Sequence, residues 1–214
     1  MQVDVWSDVV CPWCYLGKAR LEKALAEFDG RDDVTVTYRS FELDPGWPED
    51  LVLPVANVLS AKYGMSEDQA RSADSRVAGL AEAEGLDFNS GRPYGNTFNV
   101  HRVLHAGRDA GIGQQLLTAV NQAYFGEGRE VFDASVLTDV AAGAGMDRGL
   151  VDAVLGGDEY ADAVRTEEST AQDLGVTGVP FFVFDRRLAV SGAQPVETLA
   201  EVLRQARDES AEGA

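Results

Sequence analysis

Residues 2–6, Gln-Val-Asp-Val-Trp, alternate polar and apolar side chains, the period-two pattern of a strand. From Trp13 to Phe28 the period changes. Leu16, Ala19, Leu21, Ala24, Leu25 and Phe28 recur near helical spacing, with Lys18, Glu22, Lys23 and Glu27 interleaved and Gly30 as a stop. Val34 to Tyr38 is β-branched and alternating and predicts a second strand, so the chain opens on one βαβ unit. Turn residues then cluster at Asp44-Pro45-Gly46-Trp47-Pro48. From around residue 52 to 174 the pattern predicts helices and no strand, with breaks at Gly64, Gly85, Gly91–Gly95, Gly111, Gly113, Gly126, Gly128 and Gly156-Gly157. Strand character returns at Val179–Phe184. Asp185-Arg186-Arg187 reads as a turn and Leu188-Ala189-Val190 as a partner strand. Pro195 suits the first turn of a last helix with Val196, Leu199, Val202 and Leu203 as its apolar face, and the tail from Asp208 to Ala214 is expected to fray. The order is βαβ, a helical block, then ββα.

At 214 residues with 45% hydrophobic side chains, the chain can bury a substantial core. Its net charge of −18 argues against non-specific nucleic-acid binding and against attraction to anionic membranes. The first residues, MQVDVWSDVV, lack a basic segment followed by an apolar run, and no apolar stretch is long enough for a transmembrane helix. Two cysteines cannot form a multi-disulfide scaffold, so a reducing, cytoplasmic setting is expected.

Those two cysteines, in Cys11-Pro12-Trp13-Cys14, carry the chemistry. They follow a short strand and open a helix, where unpaired backbone N–H groups and the positive end of the dipole favour a thiolate on Cys11. Cys14, one turn further in, is placed to resolve a mixed disulfide formed on Cys11. Two other readings exist: inert buried cysteines, or a Cys2His2 zinc site completed by His101 and His105, four apart on a predicted helix. The long separation between the two ligand pairs and the strand-to-helix setting of Cys11 favour redox exchange, with no metal required. Asp4, Asp8 and the overall negative charge oppose the thiolate, and Lys18 and Arg20 partly offset them.

Pro180 stands at the mouth of a predicted strand, where proline is unfavourable without a reason. A cis Val179–Pro180 bond would leave the N–H and C=O of Val179 free for an extended peptide; a trans bond is the commoner state. His101 borders an apolar stripe of Val100, Val103, Leu104 and Gly107. It reads equally as an interfacial residue with few core contacts or as a cleft residue near Cys11. Arg102 accompanies it and Asn96 lies at the start of that helix. His105, Trp6 and Trp47 read as packing residues, Phe125 and Phe132 as core, and Trp13, between the cysteines, as exposed.

Together these segments resemble the DsbA family of thioredoxin-fold oxidoreductases, and within it the cytosolic FrnE-like branch. The resemblance rests on Cys11-Pro12-Trp13-Cys14-Tyr15-Leu16-Gly17, Ser40-Phe41-Glu42-Leu43-Asp44-Pro45, Asn96-Thr97 with His101-Arg102, and Ala123-Tyr124-Phe125 with Glu127-Gly128. It continues in Gly175-Val176-Thr177-Gly178-Val179-Pro180 and in Val190-Ser191-Gly192-Ala193-Gln194-Pro195. It implies a helical domain inserted in a thioredoxin fold, a cis Pro180 facing the cysteine pair, and disulfide oxidoreductase or isomerase activity. The branch is also similar to kappa-class glutathione transferases and hydroxychromene carboxylate isomerases, which carry serine where this chain has Cys11. By that likeness Val179 and the Ser191-Gly192 turn would hold a thiol peptide such as glutathione. The family's periplasmic enzymes place a histidine between the cysteines; Pro12-Trp13 supplies no such charge, so a strongly oxidising pair is not expected.

The resulting expectation is an α/β, thioredoxin-like fold with a large all-helical insertion: residues 1–44 (βαβ), the insertion 45–174, and residues 175–214 (ββα). The expected function is a cytoplasmic dithiol–disulfide oxidoreductase or isomerase with Cys11 and Cys14 catalytic. Pro12, Trp13, Val179, Pro180, Asn96, His101, Arg102, Ser191 and Gly192 are the candidate substrate-binding residues. No cofactor is required, and glutathione is a candidate co-substrate. The alternatives are a glutathione-dependent isomerase or transferase and a non-catalytic binding or zinc module. The partner class is a thiol or disulfide, protein or small molecule.

Overall fold

The computed structural model of the chain describes residues 1–212. In chain order the elements are β1 (Gln2–Ser7), α1 (Pro12–Ala26), β2 (Thr35–Ser40), β3 (Leu53–Pro54), α2 (Val55–Tyr63), α3 (Glu67–Ala83), β4 (Pro93–Tyr94) and α4 (Phe98–Asp109). There follow α5 (Gly113–Asn121), α6 (Ala134–Gly143), α7 (Arg148–Gly156), α8 (Ala161–Asp173), β5 (Phe181–Phe184), β6 (Leu188–Ser191) and α9 (Val196–Glu212). The chain divides into two compact units, Met1–Leu43 with Glu167–Ala214, and Asp44–Thr166.

The first unit is built on a four-stranded sheet in the order β2-β1-β5-β6. β1 runs parallel to β2 and antiparallel to β5, and β5 pairs antiparallel with β6. Register sorts the side chains. Val5 lies opposite Tyr38 on one side and Phe182 on the other, and Phe182 opposite Val190, so all four share a face. That face, with Val3 and Phe184, packs against Leu21, Ala24 and Phe28 of α1 and its C-terminal turn and against Leu199, Leu203 and Ala206 of α9. The odd-even alternation sends Trp6 and Val183 to the opposite face, where they meet Ala171 of α8 and Val176. Asp4, on that face too, is neutralised by Arg39, whose guanidinium lies 2.7 Å from it and 2.9 Å from Glu167.

This second face moves one boundary. The helical block was expected to run to residue 174, but the unit border falls between Thr166 and Glu167. Glu167 accepts from the Ser40 N–H at 2.7 Å, its carbonyl accepts from Trp6 Nε1 at 2.9 Å, and Ala171 is fully buried against the sheet. The C-terminal half of α8 therefore belongs to the sheet unit. The tail is also more ordered than expected. α9 continues through Glu212, held by Arg187 Nη1 donating to Glu209 O at 3.1 Å and Ser210 Oγ donating to Asp185 Oδ2 at 3.0 Å. The rest of the expected frayed segment lies outside the described residues.

The Asp44–Thr166 unit is helical, as the periodicity predicts, with one correction. β3 and β4 form a two-residue antiparallel ladder, Leu53 opposite Tyr94 and Pro54 opposite Pro93. A ladder that short, with a proline in each strand, has no alternation to read. Caps punctuate the helices: Ser66 and Gln69 form a capping box on α3, and Asp147 accepts from the Leu150 N–H at the start of α7. One π-helical turn, Gln122–Gly126, follows α5. Arg92, 1% exposed, is bound twice by Asp74, at 3.1 and 2.7 Å, with its guanidinium 4.3 Å from the Phe88 ring centroid. Phe125 is fully buried as expected; Phe132 is half-buried and packs edge-on against Tyr124.

Candidate active site

Cys11 is the N-cap of α1. Its backbone is extended, its side chain makes no capping bond, Pro12 occupies the first turn, and no acidic residue lies there. A thiolate at this position faces the open N–H groups of the helix and the positive end of its dipole. Both cysteines are free thiols. Trp13 is 43% exposed between them, as expected, whereas Cys11 is only 4% exposed and Cys14 5%. The Cys11 sulfur sits under the β5 approach.

The cover is Val179-Pro180. The bond between them is cis, in line with the family likeness and against the commoner trans state. Cys11 Sγ donates to the Val179 carbonyl at 3.5 Å, so that acceptor, expected to be free, is engaged while Cys11 is a thiol. Ionisation of Cys11 removes the donor and releases it. Pro180 is buried and its carbonyl accepts from the Gly192 N–H at 2.8 Å. Gly192 holds φ +80°, which its lack of a Cβ allows, and Ser191 beside it is exposed at the end of β6. On the other side Pro180 rests on Gly17: a Cβ there would lie 2.9 Å from Pro180 Cγ and 3.2 Å from Phe182 Cζ. Glycine in the helix interior lets α1 approach the proline this closely. Cys11, Cys14, Val179, Pro180, Ser191 and Gly192 thus share one edge of the first unit, with Gly17 as a contact that spacing alone does not single out.

Burial first, then the thiol-to-thiol hydrogen bond with Cys11 and the negative charge there, push the Cys14 thiol well above its ordinary value; the Asp8 carboxylate adds to this, and a backbone hydrogen bond from Asp8 opposes it. Cys14 is therefore held as a thiol to higher pH than usual. Asp8 is 2% exposed. Its carbonyl accepts from the Cys11 N–H at 3.2 Å and its carboxylate from the Leu43 N–H at 2.7 Å. One turn beyond Cys14, Lys18 is buried, with Nζ 2.6 Å from Glu22 Oε1. Tyr38 of β2 packs on the same core, and burial, Glu22 and Cys14, in that order, hold its phenol protonated to higher pH than usual. Arg20, expected to support the thiolate, instead donates from Nη1 to Ala193 O at 2.7 Å.

The remaining candidates belong to the Asp44–Thr166 unit. Asn96, just before the N-cap Thr97, accepts from the Phe98 N–H at 2.9 Å and donates to Trp47 O at 2.7 Å, so it ties the start of α4 to the Trp47 loop. His101 is 2% exposed. Arg102 is 4% exposed; Nε donates to Glu159 O at 2.8 Å, Nη1 to Asn99 Oδ1 at 2.8 Å, and Nη2 to the carbonyls of Val154 and Gly157. These bonds clamp the end of α7 to α4. His105 pairs with Arg108 at 2.6 Å, a packing role as expected. Among the described residues no group of three or more His, Cys, Asp or Glu side chains is placed to hold a metal ion.

Comparison with known proteins agrees with this geometry. Residues 2–204 match the DSBA-like thioredoxin domain, and the chain belongs to that family. It is 50% identical to a probable DsbA oxidoreductase of Streptomyces coelicolor, whose crystal structure superposes with a TM-score of 0.95 over 98% of this chain and 91% of that one. It is 30% identical over 188 residues to the uncharacterized protein YwbO of Bacillus subtilis, covering 86% of each. The cytosolic disulfide reductase DsbM of Pseudomonas aeruginosa, solved with GSH, shares the fold at 21% identity and a TM-score of 0.67, over 97% of this chain and all of that one.

Proposed function

We propose that this member of the DsbA-like thioredoxin-domain family is a dithiol–disulfide oxidoreductase working through Cys11 and Cys14 in a reducing, cytoplasmic setting. The observation that carries the reading is the pairing of Cys11, on the uncapped N-terminus of α1 and 3.5 Å from the Val179 carbonyl, with a Cys14 held as a thiol. In the reducing direction the Cys11 thiolate attacks one sulfur of a substrate disulfide. A Cys11 mixed disulfide forms and the first substrate thiolate leaves. Cys14 then gives up its proton and attacks Cys11 Sγ; the second substrate thiolate leaves and the Cys11–Cys14 disulfide remains. Two equivalents of a small thiol return the pair to the dithiol, and glutathione is the thiol assigned here. An extended segment of the substrate lies along Val179-Pro180, beside Ser191-Gly192 and the exposed Trp13.

The test is reduction of a protein disulfide with glutathione as electron source. Cys11→Ser is expected to abolish turnover, and Cys14→Ser to accumulate the mixed disulfide, visible as a mass increment on the intact protein. Turnover at the wild-type rate by Cys11→Ser overturns the assignment. Turnover by the wild type with dithiothreitol but not with glutathione removes glutathione alone.

A further inference from the structure

Gly17 and Arg20, three positions apart, lie along one face of α1, the helix whose N-terminus carries Cys11. Gly17 meets the Pro180 ring directly. Arg20, half-buried, reaches past it: Nη1 donates at 2.7 Å to the carbonyl of Ala193, in the connection between β6 and α9. That connection is folded on itself by Gln194, whose N–H donates to Gly192 O at 2.9 Å and whose Nε2 donates to Ser191 O at 2.8 Å. Local bonds of this kind shape a turn without fixing where it stands. Two bonds that leave the turn fix its place: the Gly192 N–H donates to Pro180 O at 2.8 Å, and Ala193 O accepts from Arg20. The guanidinium carries a charge, so its bond to a carbonyl is stronger than one between neutral groups. From Arg20 the links run to Ala193, by the chain to Gly192, across to Pro180, by the chain to Val179, and from Val179 O to Cys11 Sγ at 3.5 Å. The path begins and ends on α1, so it is a closed loop of contacts around the Val179-Pro180 segment.

We propose that Arg20 is a positioning residue for peptide substrates: by holding the Ser191–Gln194 turn to α1, it keeps Val179-Pro180 at the distance from Cys11 that an extended peptide needs. The inference rests on the oxidoreductase reading above. Arg20 acts through the turn and through Pro180. Its effect therefore falls on substrates that use the Val179 backbone, and spares a disulfide that has no backbone to dock.

The experiment uses the reduced full chain and two probes with the same reacting bond. One is a short uncharged peptide whose single cysteine is joined through a disulfide to thionitrobenzoate. The other is the corresponding mixed disulfide of 2-mercaptoethanol, which has no backbone. With either probe the Cys11 thiolate attacks the peptide or mercaptoethanol sulfur, thionitrobenzoate leaves, and a Cys11 mixed disulfide forms. Cys14 then gives up its proton, attacks Cys11 Sγ and expels the thiol, leaving the Cys11–Cys14 disulfide. Thionitrobenzoate release gives one rate constant for each probe. Their ratio isolates the contribution of the peptide backbone, since a change in the thiolate or in overall charge acts on both alike. Arg20→Met, which keeps the aliphatic stem, is expected to lower the peptide-to-mercaptoethanol ratio about five- to tenfold, the worth of roughly one backbone hydrogen bond. Arg20→Lys, which keeps a charged donor, is expected to regain most of it. A merely structural role lowers both rate constants in proportion or neither, so an unchanged ratio in Arg20→Met overturns the inference. An Arg20→Lys ratio as low as that of Arg20→Met also overturns it. Should Arg20→Met fail to fold, Arg20→Gln decides, because its side chain falls short of Ala193 O: a wild-type ratio there overturns the inference. A wild type that releases thionitrobenzoate from neither probe overturns the oxidoreductase reading and the inference with it. A wild type that reacts with both, beside variants with unmoved ratios, overturns the inference alone.

Discussion

Gly17→Ala tests the contact that seats Pro180 beside the cysteines. A Cβ at position 17 would stand 2.9 Å from Pro180 Cγ, 3.2 Å from Phe182 Cζ and 3.5 Å from Pro180 Cβ. Carbon atoms pack at about 3.5–4.0 Å, so the closest pair must separate by at least a few tenths of an ångström. Neither neighbour gives easily: Pro180 is a rigid ring anchored through its carbonyl to Gly192, and Phe182 is fully buried in the sheet core. Overpacking of this kind costs about 1–3 kcal/mol. Against it stands the gain of about 1 kcal/mol when alanine replaces glycine inside a helix. The expected net effect is a loss of about 0–2 kcal/mol. Gly79, in the interior of α3, is the matched control, because a Cβ there meets nothing within 4 Å. Gly79→Ala should stabilise by about 1 kcal/mol through the same helix gain. Chemical denaturation of both variants gives the difference, expected at about 1–3 kcal/mol, which is the overpacking contribution itself. The thiol-exchange rate should fall in Gly17→Ala only, because Val179 moves with Pro180. A Gly17→Ala protein as stabilised as Gly79→Ala and exchanging at the wild-type rate would refute the contact.

The raised Cys14 thiol makes the stability of the reduced protein depend on pH. Between the ordinary thiol value of about 8.5 and the higher folded value, the folded state binds more protons than the unfolded chain, so stability is full below that window and falls as pH rises through it. Thermal melts across this range should show the slope in the reduced wild type and lose that part of it in Cys14→Ala; an identical slope in both would refute the assignment. In the insert, Asp74→Ala leaves the Arg92 guanidinium buried without its counterion and should cost about 3–5 kcal/mol in chemical denaturation. The double replacement Asp74→Leu with Arg92→Met should recover most of that loss.

Much of the fold was legible in local pattern. The alternation in β1 and β2 and the helical period of α1 follow from which side chains need burial, and burial imposes a period of two on a strand and 3.6 on a helix. The Cys11-Cys14 spacing at the start of a helix likewise identified the chemistry, since a helix N-terminus favours a thiolate whatever surrounds it. Residues whose roles depend on partners distant in sequence were not legible. Arg102 reads from the sequence as a candidate cleft residue, and its Nε and Nη2 donate to carbonyls more than fifty positions away. Arg20 could be read only as a nearby positive charge, and Gly17 only as part of a motif.

The sequence by itself determined the order of elements in the sheet unit, the existence of a mainly helical block between two pieces of sheet, and the identity of the reactive thiols. Each of these follows from neighbours within a turn or a strand. Only the tertiary structure decided that Glu167 and Ala171 join the sheet unit, that Cys11 lies beneath the Val179 carbonyl, and that Cys14 is held as a thiol to higher pH than usual. Burial and charge at a point in space are sums over everything packed around it, and in this chain Cys11 and Val179 meet across 168 positions.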